Sequence, residues 1–171
     1  MDELITADAA RVTDYLRLVY GMMAKYVRPE DKVAEICTRH DRGTISPKII
    51  PHAIWTNVDK DKRRPGLSLD AVHRELPRCD VLLSTAILHH TPPGSIPKLI
   101  ANLCKRTNRL LMLSGPNADV VPDLIGDHRY HIVPGEIVDL ARKNKFHLVT
   151  SRRVGLSAPY SEILMVFRHD S

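Results

Sequence analysis

Long apolar runs are missing from this 171-residue sequence, and no stretch comes close to the ~20 residues that a helix needs to span a bilayer. The first five residues, Met-Asp-Glu-Leu-Ile, also lack the basic segment of a secretory signal. These two absences argue against a membrane-spanning or secreted protein. We therefore expect a cytoplasmic protein without membrane contact.

Cysteine is scarce as well. The chain has three cysteines, Cys37, Cys79 and Cys104. Their odd number and the lack of Cys-x-x-Cys spacing argue against a disulfide framework or a zinc cluster. Cys79 and Cys104 border apolar runs and are expected to be core thiols. None of the nine histidines belongs to a His-Glu-x-x-His motif, and the adjacent His89 and His90 would point apart on a regular element. We expect no metal site.

Aromatic residues make up only 5% of the chain, and none is interleaved with the basic clusters at 60–64 and 152–153 as a base-stacking surface would require. The net charge of +5 permits an anionic partner without requiring one. Both clusters are short and partly compensated, which favours a solvated surface. Nucleic acid is therefore not favoured as a partner. A small-molecule substrate and a protein partner, including a second copy in a homodimer, both stay open.

A chain of this length suits one domain. Its hydrophobic share of 43% and charged share of 26% are typical of globular proteins. We expect a single domain over 1–171, with an N-terminal helix over 1–28 and an α/β core over 29–171. Apolar residues at helical spacing predict one packed face of that first helix: Val12, Tyr15, Leu16, Val19, Tyr20, Met23 and Val27.

Strands and helices alternate through the core. The predicted strands are at 32–36, 53–58, 81–84, 109–113, 146–154 and 162–168, with 67–71 left open between strand and helix. Helices are predicted after a capping Ser95 and from Pro134. Alternation indicates a parallel sheet with helices on both faces, and the short last connection indicates an antiparallel pair. The predicted fold class is α/β: a three-layer, doubly wound, mostly parallel sheet with a C-terminal antiparallel hairpin.

In such a sheet, ligands bind beyond the carboxyl ends of the strands, where the strand order reverses. Asp59 follows Glu35 at roughly the 20-residue interval that separates a first-strand loop from an acid binding ribose hydroxyls. A carboxylate suits that role because it can accept hydrogen bonds from both hydroxyls. A solvated turn aspartate explains the same spacing equally well.

Seven segments, taken in chain order, resemble successive segments of class I S-adenosylmethionine-dependent methyltransferases. They are residues 29–36, Asn57-Val58-Asp59, Leu69-Asp70-Ala71, 80–90, 96–113, 133–146 and 162–168. The best match is 80–90, which resembles the family's fourth strand and the loop after it. The resemblance implies a Rossmann-like methyltransferase fold, S-adenosylmethionine as cofactor, and the family's small-molecule branch.

The resemblance also implies cofactor-binding residues. Glu35 would organise the first loop, and Asp59 would bind the ribose hydroxyls. Asp70 would lie near the adenine amine, while Ser84 and Thr85 would line the methionine side.

The two adjacent histidines are the catalytic candidates. His90 matches a histidine position of the family. His89 falls at a variable position there and could serve as a general base, although a structural role is favoured for it.

The chain departs from the family at its first loop, which is glycine-rich in methyltransferases. The glycine positions fall on Cys37, Arg39 and Asp41, and only Gly43 is nearby. Glycine suits such a loop because a β-carbon at positive φ costs about 1–2 kcal/mol. Three alternatives stay open: Cys37 and Arg39 still bind the cofactor along another path, with Arg39 or Arg42 pairing its carboxylate; the site takes a different ligand; or the fold serves a non-catalytic role.

The predicted function is thus an S-adenosylmethionine-dependent methyltransferase acting on a small molecule. The alternative is a catalytically inactive methyltransferase-like protein that serves as a binding or assembly partner. A nicotinamide-dependent oxidoreductase is disfavoured because no Gly-x-Gly-x-x-Gly motif is present.

Overall fold

Helices and strands alternate along the chain, as the sequence predicts. The computed structural model describes residues 17–37, 54–57, 76–85, 87–120, 123–124, 128–155 and 161–170. Its strands are β1 (Lys32–Cys37), β2 (Ile54–Asn57), β3 (Cys79–Thr85), β4 (Thr107–Pro116), β5 (Phe146–Gly155) and β6 (Ser161–His169). Its α-helices are α1 (17–24), α2 (Ile96–Arg106) and α3 (Pro134–Lys143), and two 3-10 turns cover Leu88–His90 and Pro93–Ser95.

The described strands form one six-stranded sheet in the order β2-β1-β3-β4-β6-β5. β1 pairs in parallel with both β2 and β3, and β3 pairs in parallel with β4. β6 then pairs antiparallel with β4 on one side and with β5 on the other. The predicted fold class, with its mostly parallel sheet and closing antiparallel hairpin, is confirmed. The ambiguous segment 67–71 lies outside the described residues, and the extent of the single domain stays a prediction.

The core is split into two layers by the sheet, because successive side chains of a strand point to opposite faces. On one face, α1 packs Val19, Tyr20 and Met23 against strand residues such as Val81 and Leu83. On the other face, α2 and α3 pack against the alternate positions of the same strands. The predicted buried stripe is confirmed for Val19, Tyr20 and Met23 of α1. Val27 is buried as predicted but lies beyond the end of the helix, which comes earlier than expected.

Helix α3 begins and ends as its sequence predicts. Pro134 occupies the first turn with Glu136, and Arg142 and Lys143 occupy the last turn, where they suit the negative end of the helix dipole.

The predicted side-chain cap of α2 is wrong. Ser95 occupies the cap position without a capping side-chain hydrogen bond. Its backbone is already helical because it closes the 3-10 turn, donating its N–H to the Pro92 carbonyl at 2.8 Å.

Strand β4 is longer than predicted. The sequence suggested that Ser-Gly-Pro would close the strand after residue 113, yet the strand continues to Pro116. The reason lies in β6, which pairs with Ser114, Gly115 and Pro116 and so extends the ladder past the apolar run.

Both described thiols lie in the core, as expected. Burial raises the pKa of Cys79 to about 11 and that of Cys104 to about 12. At neutral pH they are therefore protonated apolar side chains rather than nucleophiles.

Across the described residues, no helix is long and apolar enough to cross a membrane. The cytoplasmic location stays a prediction.

A buried ion pair fixes the end of α1 to the sheet. The Arg109 guanidinium on β4 binds the Asp31 carboxylate, and their side chains are only 20% and 8% exposed. Asp31 also accepts the Arg28 N–H at 2.5 Å, and Arg109 donates twice to the Tyr26 carbonyl at 3.3 Å. The pair thus satisfies backbone groups in the connection between α1 and β1.

We expect Asp31→Ala to lower the free energy of unfolding by about 2–3 kcal/mol, because it leaves a partly buried guanidinium without its counter-charge. Urea unfolding would measure the loss. Asp139→Ala is the matched control, since its ion pair with Arg142 is exposed on α3 and should be worth at most about 0.5 kcal/mol. Equal losses in the two variants would contradict this assignment.

Lys145 adopts a left-handed backbone conformation, with φ of 64°, just after α3. Its N–H donates to the Arg142 carbonyl at 3.0 Å, and its own carbonyl accepts from Asp170 at 2.7 Å. A β-carbon is strained at this φ, whereas glycine is not.

Lys145→Gly should therefore raise the free energy of unfolding by about 0.5–1 kcal/mol, since both backbone hydrogen bonds persist. Lys143→Gly, at the last residue of α3, relieves no such strain and should instead lower it, by up to about 1 kcal/mol. Thermal unfolding of the two variants gives the comparison, and a loss of stability in both would refute the strain at residue 145.

Candidate functional site

The candidate site lies where β1 and β3 run side by side. After β1 the chain continues to β2 on one side of this pair, and after β3 it continues to β4 on the other. Strand order therefore reverses between β1 and β3, and such a reversal opens a crevice at the carboxyl ends of the strands. The register brings Ile36 opposite Ser84 and Cys37 opposite Thr85. Four of the predicted cofactor-binding residues thus lie near the carboxyl ends of two neighbouring strands. They are Glu35 and Cys37 on β1, and Ser84 and Thr85 on β3.

Glu35 is a fully buried carboxylate on the α1 face of this crevice. Its Oε1 atom accepts a hydrogen bond from the Tyr20 hydroxyl of α1. The Thr85 hydroxyl donates to the same oxygen at 3.4 Å. Both donors are themselves fully buried. Hydrogen bonds to a carboxylate favour its ionised form and offset part of the cost of burying it.

Ser84 points to the opposite face of the sheet from Thr85, as alternation along a strand requires. Its hydroxyl is fully buried and has no hydrogen-bond partner among the residues that the structure describes. Buried hydroxyls are nearly always paired, so an exception calls for an explanation. An orphan hydroxyl at the carboxyl end of a switch-point strand is a natural contact for a bound polar group.

Three predicted cofactor-binding residues, Arg39, Asp59 and Asp70, lie outside the described residues. Their roles stay predictions. The same holds for the alternative paths of the first loop, because residues 38–43 also lie outside the described part of the chain.

His89 and His90 belong to a larger cluster at the same edge of the sheet. They occupy the 3-10 turn that follows β3, and their ring centroids are 4.1 Å apart, so they do not diverge as they would on a regular element. His128 lies 4.3 Å from His89, and its Nδ1 is 3.0 Å from Nε2 of His131. We call His89, His90, His128 and His131 the histidine cluster.

Backbone hydrogen bonds tie the two halves of the histidine cluster together. The N–H groups of Arg129 and Tyr130 donate to the His89 carbonyl at 2.6 and 3.3 Å. The Tyr130 hydroxyl donates to Glu136 at 2.9 Å, and burial raises the pKa of Tyr130. These contacts hold residues 128–131 against α3 and the turn after β3.

Sequence analysis missed His128 and His131. Their three-residue spacing is a weak signal, and their proximity to His89 depends on the fold. Within the described ranges, no three His, Cys, Asp or Glu side chains are arranged to hold a metal ion. An imidazole beside a bound molecule has the chemistry of a general base.

A separate cavity of about 310 Å³ lies at the amino ends of β3 and β4, on the opposite edge of the sheet. Its lining includes Arg78, Lys105 and His169 together with the Cys104 thiol. Lys105 is in the last turn of α2, where a cation complements the helix dipole. The helix dipole thus accounts for the placement of the Lys105 charge.

The two adjacent hydroxyls at the end of β3 give a test of this geometry. Thr85→Val should lower the free energy of unfolding by about 1 kcal/mol, because it removes a donor to a buried carboxylate. Ser84→Ala should leave it unchanged or slightly higher, because the hydroxyl that it removes has no partner in the described structure. Chemical unfolding of both variants measures the difference, and the reverse order of losses would show that the two side chains have been assigned to the wrong faces.

No family model and no curated protein matches this sequence. In contrast, 340 chains of solved structures match its fold. A 1,6-didemethyltoxoflavin-N1-methyltransferase from Burkholderia thailandensis, solved with its substrate and S-adenosylhomocysteine, is similar with a TM-score of 0.69 and 15% identity, over 97% of this chain and 83% of that one.

Two further solved structures show the same fold. The magnesium protoporphyrin IX methyltransferase of Synechocystis, with bound S-adenosylhomocysteine, has a TM-score of 0.62 and 11% identity, over 94% of this chain and 83% of that one. TehB from Haemophilus influenzae has a TM-score of 0.59 and 12% identity, over 88% of this chain and 61% of that one. At these identities the likeness concerns the fold, and this chain has the fold of class I S-adenosylmethionine-dependent methyltransferases.

Proposed function

We propose that this protein is an S-adenosylmethionine-dependent methyltransferase that acts on a small molecule. The observation that carries the proposal is the buried Glu35 carboxylate beside the Ser84 and Thr85 hydroxyls at the switch point. The solved methyltransferases of the same fold, two of them named with bound S-adenosylhomocysteine, support this choice.

The described residues fit such a cofactor at two points. A buried carboxylate that accepts hydrogen bonds from two hydroxyls suits the ammonium group of the methionine part. The Ser84 hydroxyl, which lacks a partner among the described residues, suits a polar atom of a ligand. By its resemblance to the family, we assign Asp59 to the ribose hydroxyls and Asp70 to the adenine amine, with Arg39 available to the cofactor carboxylate.

S-adenosylmethionine supplies an electrophilic methyl group when it is bound. The protein's own contribution is then to bind the two reactants side by side and orient the substrate nucleophile, and this accounts for most of the catalysis in our proposal. The histidine cluster borders the same edge of the sheet. An imidazole of this cluster suits the role of general base toward a substrate hydroxyl or ammonium.

A small-molecule substrate is the class that we favour. The solved methyltransferases named with a toxoflavin precursor and with a magnesium porphyrin act on molecules of that class. Residues 128–131, which carry half of the histidine cluster, are placed to contact such a substrate.

The second candidate is a methyltransferase-like protein without activity that serves as a binding or assembly partner. The observation that favours it is the replacement of the family's glycines by Cys37, Arg39 and Asp41 in the first loop. Side chains at such positions obstruct the close approach of the backbone to a cofactor.

Calorimetric titration with S-adenosylhomocysteine separates the two candidates. The methyltransferase should bind it, and Asp59→Ala should weaken binding about tenfold or more through loss of hydrogen bonds to the ribose. Asp139→Ala, on the exposed surface of α3, is the control and should bind like the unmodified chain.

Absence of binding at millimolar ligand would reject the enzyme and favour the inactive protein. Binding that Asp59→Ala leaves unchanged would retain the cofactor but reject our placement of the ribose. Transfer of a labelled methyl group to a panel of phenols and heterocyclic amines would then test the substrate class.

A further inference from the structure

Tyr20 connects the N-terminal helix to the candidate site through one hydrogen bond. It is fully buried on α1, in the apolar cluster that also contains Val19, Met23 and Val33. Its ring is held by that cluster, and its hydroxyl reaches across to the Glu35 carboxylate on β1. The contact joins residues 15 positions apart in sequence and belongs to the tertiary structure.

The position of this contact on the carboxylate is informative. Tyr20 and Thr85 both donate to Oε1 of Glu35, one from the helix and one from the neighbouring strand β3. Hydrogen bonds to a carboxylate are directional, so each of these donors helps to fix its orientation. Glu35 is therefore held by hydrogen bonds from two elements, α1 and β3.

The same two hydroxyls also bear on the charge of the carboxylate. Burial disfavours an ionised carboxyl group, and donors to the ionised form oppose that effect. Loss of one donor shifts the balance toward the neutral acid. A neutral Glu35 would offer no counter-charge to a cationic group in the crevice.

We infer that Tyr20 is a positioning residue of the cofactor site, through which α1 directs the Glu35 carboxylate toward a ligand that carries an ammonium group. This inference rests on the proposed function, because it assigns the ammonium to the methionine part of the cofactor. It goes beyond the strand-end residues by making the N-terminal helix a component of the site. Cofactor affinity then depends on the packing of α1 against the sheet.

The test is calorimetric titration of the full chain with S-adenosylhomocysteine between pH 5 and pH 8. Tyr20→Phe removes only the hydroxyl and keeps the buried ring. We expect its affinity at neutral pH to fall about tenfold, as for the loss of a hydrogen bond to a charged group. The loss should grow as the pH is lowered, because the carboxyl group of the variant takes up its proton at a higher pH than in the unmodified chain.

Tyr26→Phe is the matched control. Tyr26 follows the same helix and packs, partly buried, against the same apolar cluster. Its variant loses the same atom but should bind S-adenosylhomocysteine with an affinity within about twofold of the unmodified chain, and with the same pH profile.

Two further variants keep the test decisive if Tyr20→Phe folds poorly. Thr85→Val should change the pH profile of binding in the same direction as Tyr20→Phe. The change should be smaller, because the hydrogen bond that Thr85 donates is long, at 3.4 Å. Glu35→Gln should bind weakly with no dependence on pH from this group, since an amide does not titrate in this range. Adding Tyr20→Phe to Glu35→Gln should then leave the pH profile unchanged.

The outcomes distinguish this inference from the proposed function. If the unmodified chain binds S-adenosylhomocysteine and Tyr20→Phe matches it in affinity and pH profile, the role of Tyr20 is refuted and the cofactor assignment stands. If the folded, unmodified chain does not bind the ligand, the proposed function is refuted and the role of Tyr20 with it. A loss in Tyr20→Phe that is equal at every pH would also overturn the inference, because it would indicate a structural role alone.

Discussion

The parallel pairing of β1 with β3 is the constraint on which the remaining architecture depends. It lies at the centre of the sheet, and each strand leads outward in a different direction, to β2 or to β4. The pairing creates the crevice, fixes which side chains of the two strands meet, and places Glu35 and Thr85 on the same face. Helix α1 covers that face, while α2 and α3 cover the other, so each layer of the core is built against this pair.

The fold was accessible from the sequence because its strands are short apolar runs between clear breaks. β1 and β3 were predicted to within two residues, and the alternation of strands with helices correctly indicated the parallel sheet. The errors occurred where pairing partners decide the boundary. β4 extends through Ser114, Gly115 and Pro116 because β6 lies beside it, and local composition carries no record of that neighbour.

The candidate site was only partly accessible for the same reason. The positions of Glu35, Ser84 and Thr85 could be predicted because these residues lie at or beside the carboxyl ends of predicted strands. In a parallel sheet those ends lie at the same edge. The hydrogen bond from Tyr20 to Glu35 could not be predicted, because in the sequence Tyr20 looks like one more residue of the packed face of a helix. The histidine cluster combines a turn after β3 with residues far along the chain. Such combinations arise from topology and leave no local periodicity to detect.

The position of β6 has a consequence for how the protein is made. β6 is the last described strand in sequence, yet it lies inside the sheet, between β4 and β5. While the chain is being synthesised, β4 exposes an unpaired edge until the residues of β6 emerge about 45 positions later, which takes on the order of 2–9 s at typical synthesis rates. Exposed strand edges promote association with other chains. The nascent protein is thus most vulnerable to aggregation in the interval between the completion of β4 and the arrival of β6.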